Sequence, residues 1–144
     1  MKLEEQVCSL EISKKLKELG VMQESLFYYD YAPHIGKKNK NLNEPILSFW
    51  GNVPWEDQFH NRIYDKESFI SAFTVSELGE MLPSTYTMLK IDDTCKKIQY
   101  VSIIPSIMLS EVGETEAEAR AKLLIKLLKF KNGQQIGNQN DNSQ

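Results

Sequence analysis

Between Leu3 and Leu19 the apolar positions change sides. Leu3, Val7 and Leu10 fall on one face of a 3.6-residue wheel, while Ile12, Leu16 and Leu19 fall on the other. That switch predicts a break near Ser9. Ser9 is a good N-cap, Glu11 sits in the first turn where the helix dipole favours an acid, and Gly20 stands where a left-handed stop belongs. A helix over 10–19 follows. The runs "ESLFYYDYA" and "PILSFWGNV" are rich in aromatic and β-prone residues, and with the linker "GKKNKNLNE" between them they predict a hairpin with a basic tip. The stretch "PWEDQFHNRIYDKESFISAF" has mixed periodicity, which suits an irregular loop and a short helix near Glu67 to Ala72.

Thr74 and Glu77 then form a T-x-x-E capping box, with Val75, Leu78 and Leu82 as the apolar stripe and Pro83 as a stop, so a helix is expected over 75–82. The β-prone runs "TYTMLKI" and "KIQYVSII", joined by "DDTCK", predict a second antiparallel hairpin. The last helix opens on another box, Thr115 and Glu118, and carries Lys126, Lys129 and Lys131 toward its end, in keeping with the macrodipole. Glu118, Lys122, Lys126 and Lys129 make one solvated stripe. Ala117, Ala121, Leu123, Leu124, Leu127 and Leu128 cover most of the rest, so this wide apolar face must lie against a sheet or a partner. From Asn132 onward "NGQQIGNQNDNSQ" lacks the apolar surface to offset its ordering entropy.

This order of elements predicts an α+β domain over 1–131, with an antiparallel or mixed sheet of about four strands and helices packed on it, followed by a disordered polar tail over 132–144. At 144 residues and 41% hydrophobic the chain can bury a core without metals or disulfides, so no cofactor is expected. A formal charge of -3 gives no overall positive field for nucleic acid or an anionic membrane, so a partner must be recognised locally. Cys8 and Cys95 lie far apart in sequence and read as reduced thiols. The acidic N-terminus "MKLEEQVCSLEISKK" has no continuous apolar run, so neither a signal peptide nor a membrane anchor is expected and the location reads as cytoplasmic.

Two stretches, "FTVSELGEML" and "SLEISKKLKELGV", look like the opening helix of a helix-turn-helix. Neither is followed by a recognition helix. The first runs into β-prone "PSTYTMLKIDD", the second into aromatic "VMQESLFYYDY", and the bulky Leu16 stands four before Gly20 where a small residue permits close helix crossing. Sequence-specific DNA binding is therefore not expected. His34 and His60 are the only histidines, and although Glu56, Asp57 and His60 stand close in sequence, no paired His or Cys spacing predicts a metal site. Phosphate-loop, dinucleotide and nucleophile-elbow signatures are absent from the sequence. Cys8 near a helix N-terminus could carry a lowered pKa, or could be a buried inert thiol.

Aromatic density stands out: eleven of the fourteen Phe, Tyr and Trp residues fall between Phe27 and Phe73, enough to build the domain's core. The alternative is that Trp50 and Trp55, around "WGNVPW", lie at the surface near Lys37, Lys38 and Lys40 as a stacking or partner-binding face.

The blocks "CSLEISKKLKELGVMQESLFYY", "AFTVSELGEMLP" and "ETEAEARAKLLIKLL" together resemble a recurring set of small uncharacterised proteins from bacteriophages, prophages and bacterial genomes. One departure is Tyr28 and Tyr29, where that set usually has a tyrosine-tryptophan pair. The closing helix also looks like the last helix of small phage α/β/α sandwich domains, with helices on both sides of a sheet. The resemblance implies a phage-type accessory protein and carries no catalytic residue with it. Two functions follow as expectations. The first is a non-enzymatic module that binds a protein partner or itself through the aromatic region or the wide apolar helix. The second is a small enzyme acting on nucleotides or nucleic acid, with Lys37, Lys38 and Lys40 meeting phosphate and His60 transferring a proton.

Overall fold

The computed structural model describes residues 2–31, 44–51, 53–56, 65–83, 86–91, 97–104 and 107–141. The first helix, α1 (Leu3–Gln6), ends at extended Val7, which forms an isolated antiparallel bridge with Thr74. The Cys8 N–H donates to the Phe73 carbonyl at 3.0 Å. The predicted break is therefore a short extended crossing. Ser9 then caps α2 (Leu10–Glu18), accepting from the Ile12 N–H. Gly20, at φ +83°, ends it: its N–H donates to Lys17 O (3.0 Å) and that of Val21 to Leu16 O (3.1 Å), the paired bonds of a left-handed stop.

Six strands form two antiparallel sheets among the described residues. In the first, β1 (Phe27–Asp30) lies between β2 (Ile46–Phe49) and β3 (Phe69–Ser71), with Tyr28 opposite both Ser48 and Ser71. The second is a meander of β4 (Tyr86–Ile91), β5 (Lys97–Ile104) and β6 (Ile107–Gly113). The α+β class and both expected hairpins are borne out. The strand count, about four by sequence, is six among the described residues because β3 and β6 escape periodicity.

β3 replaces most of the short helix suggested near Glu67, which shrinks to a 3-10 turn over Lys66–Ser68 capped by Asp65. Phe69, Ile70, Ser71 and Ala72 are all buried, so neither face meets solvent and the sequence shows no solvent-facing alternation. Only Pro105 and Ser106 separate β6 from β5, and that dipeptide lacks the Asn-Gly type of signal that announces a tight hairpin.

The capping box of α3 (Val75–Met81) is complete: the Glu77 N–H donates to Thr74 Oγ1 at 3.2 Å, and the Thr74 N–H to Glu77 Oε2 at 2.7 Å. In α4 (Glu116–Asp141) the Glu118 N–H likewise donates to Thr115 Oγ1, but the Glu118 carboxylate accepts from the Glu114 N–H. The second box thus closes one residue earlier than the motif implies. Gly113 makes this corner possible, since a Cβ there would lie 2.9 Å from Ala119 Cα.

α4 lies against β6 and β5, touches α1, α2 and α3, and α2 in turn lies against β3. The helices thus connect the two sheets, an order unlike the α/β/α arrangement of helices flanking both sides of one sheet. The main core joins Cys8, Ile12 and Leu16 to Phe73, Leu78 and Leu82, and all of these to Ala117, Ala121, Leu123, Leu124 and Leu127. The backbone of α4 runs to Asp141, through most of the segment expected to be a tail. Low apolar content argues against burial, and residues 131–133 are indeed exposed; it does not stop an established helix from propagating one bond at a time.

Candidate functional site

The two tryptophans proposed from sequence as a binding face converge on the first sheet. Trp50 meets Phe69 edge-on (5.6 Å between ring centroids, 89°), and Trp55 meets Tyr28 edge-on (5.8 Å, 80°). Tyr28 and Phe69, themselves edge to face at 6.1 Å, are fully buried. Both tryptophans are half-buried, so they roof a small aromatic core while keeping some surface in water. The Lys66 ammonium sits 5.2 Å from the centroid of the Trp55 ring. Lys37, Lys38 and Lys40, the basic residues proposed beside this face, and His60, the proposed proton-transfer group, lie outside the described residues.

A second feature lies on the apolar face of α4. Leu124 and Leu128, one helical turn apart, form one wall of an open cleft of about 410 Å³, and Met81 at the end of α3 with Val21, Met22 and Glu24 completes it. The left-handed stop at Gly20 turns the chain into this wall, and Gln23 fixes its course. The Gln23 amide donates to Val21 O (2.9 Å) and its side-chain oxygen accepts from the Ser71 N–H (3.0 Å), while the Tyr28 hydroxyl donates to Gln23 O (3.4 Å). With Gln23 anchored, its neighbours Met22 and Glu24 are left exposed, Met22 by 70%. The sequence identified the breadth of the α4 face but not Met22 or Met81, which join it only through the Gly20 turn and the end of α3.

A larger groove of about 520 Å³ runs along α2, β6 and α4 and is lined by charge. Three of its four lysines are paired, Lys15 with Glu11 (3.0 Å), Lys122 with Glu118 (2.9 Å) and Lys126 with Glu111 (3.2 Å), and Lys129 completes the lining. Lys122 and Lys126 also donate to the carbonyls of Val112 and Ser110. Burial pushes the Glu118 carboxyl up, but the bonds from Lys122 and from the Glu114 N–H outweigh it and hold it below the usual range. Among the described residues such a groove offers a phosphate one uncompensated lysine, Lys129, beside three lysines already held by carboxylates.

Cys8 is a fully buried free thiol whose sulfur lies 3.1 Å from Ser13 Oγ. Burial pushes its pKa up, against the pull of the Ser13 bond, which fits the buried inert thiol of the two sequence readings and not the activated thiolate. Among the described residues no cluster of three or more His, Cys, Asp or Glu is placed to hold a metal ion. Nor is any helix of those residues long and apolar enough to cross a membrane. No family model, curated protein or solved structure matches the chain.

Proposed function

We propose that the protein is a non-enzymatic binding module that docks another protein through the cleft between α4, the end of α3 and the Val21–Glu24 segment. The observation behind this reading is Met22, a large apolar side chain left 70% exposed beside four further apolar residues in an open cleft. Covering such a surface is favourable in proportion to the apolar area removed from water. Two of the six lining residues are methionines, whose unbranched polarisable side chains adapt to different partner shapes. The resemblance to small phage and prophage proteins supports an accessory task of this kind inside a bacterial cytoplasm.

Site-directed photocrosslinking tests the reading. With benzoylphenylalanine introduced at position 22, a discrete protein adduct should form in cells expressing the chain, and Leu128→Asp should abolish it. The same probe at exposed Ser76 is the control. Equal labelling from positions 22 and 76, or an adduct indifferent to Leu128→Asp, would sink the proposal.

A further inference from the structure

We infer that the cleft takes an amphipathic helix carrying a lysine or arginine beside its apolar stripe. This rests on the docking reading above and adds the chemistry of the partner. Leu124 and Leu128 stand at i and i+4 on α4, the first buried in the core and the second half-buried beside it, a spacing that the apolar side chains of a second helix can match. Met22 and Met81 provide adaptable walls, as in grooves that accept helices by apolar anchors at i, i+3 and i+4.

Glu24 sets the charge. Among the described residues it is the only charged one lining the cleft, and it has no ion pair or hydrogen bond with any of them. In the neighbouring groove, by contrast, Glu11, Glu111 and Glu118 each already hold a lysine. A wholly apolar occupant would strip water from the Glu24 carboxylate and give nothing back, and an acidic one would add repulsion. A basic side chain at the edge of the occupant's stripe restores the lost solvation as an ion pair and fixes the docking direction.

The test uses two synthetic helical peptides, identical in their leucine stripe and differing only in a flanking Lys or Glu. Each is titrated into full-length protein with isotope-labelled methionine methyls. The Lys peptide should shift the Met22 and Met81 methyl resonances and bind about tenfold more tightly than the Glu peptide. Glu24→Lys should reverse the preference. An unchanged preference in Glu24→Lys, with both peptides still shifting Met22 and Met81, overturns the basic-partner inference and leaves the docking reading standing. If neither peptide moves those methyls, both fall. Methyl shifts that grow with protein concentration alone identify a second copy as the occupant and likewise overturn the inference.

Discussion

Glu77 concentrates four hydrogen bonds on one carboxylate. It accepts from the Thr74 N–H, as the capping box requires, from the Thr74 hydroxyl, and also from the Ser25 hydroxyl and the Leu26 N–H. The first pair is legible in the spacing T-x-x-E. The second joins residues some fifty positions apart and could not be read without the fold. Tyr29 shows a similar long reach, donating its hydroxyl to Cys8 O at 3.0 Å. Burial first, then the neighbourhood of Cys8 and Glu4, pushes its phenol up to about 12. A group whose pKa rises on folding stabilises the fold fully below its unfolded value, here about 10, and loses that contribution as pH climbs through the folded value. Stability should therefore decline across that alkaline window, and Tyr29→Phe should flatten the decline. Urea denaturation at stepped pH measures this; parallel declines in both proteins would refute it.

The two helices that resembled DNA-reading elements are followed by strands, α2 by β1 and α3 by β4. Their apolar residues Leu16, Leu78 and Leu82 are buried in the common core. Truncating Leu16 or Leu78 to Ala should cost about 2 to 5 kcal/mol by opening a cavity. Lys14 and Lys17 both belong to α2 and stand apart from its apolar positions Ile12, Leu16 and Leu19. Lys14 is exposed. Lys17 instead donates to the Glu67 carboxylate (3.1 Å) and to Phe69 O (3.4 Å), fastening α2 to the turn before β3. Since a wheel shows only a helix's own neighbours, that tie was invisible, as was β3 itself. Lys17→Met should lower stability by roughly 1 kcal/mol, whereas Lys14→Ala should stay within about 0.5 kcal/mol. Chemical denaturation compares them, and equal effects would deny Lys17 its fastening role.

Across the chain, the caps, the hairpin partners and the broad face of α4 were readable because each is written in local spacing. The cleft was not, because its walls come from the turn after α2, the end of α3 and the middle of α4, which only the tertiary fold assembles. The C-terminal extension of α4 leaves Lys131, Asn132 and Gly133 exposed and adds a polar sequence beyond them. Deleting residues 134–144 should therefore leave the melting temperature nearly unchanged, and a calorimetric drop of many degrees would show that the segment docks. The placement of α2 against α4 has a consequence for biosynthesis. Cys8, Ile12 and Leu16 are made early, yet the alanines and leucines of residues 117–127 that complete their cluster are made more than a hundred residues later. On the ribosome the apolar stripe of α2 has no α4 to cover it until about a hundred further residues have been made, so over that interval chaperones, or aggregation, can reach the stripe first.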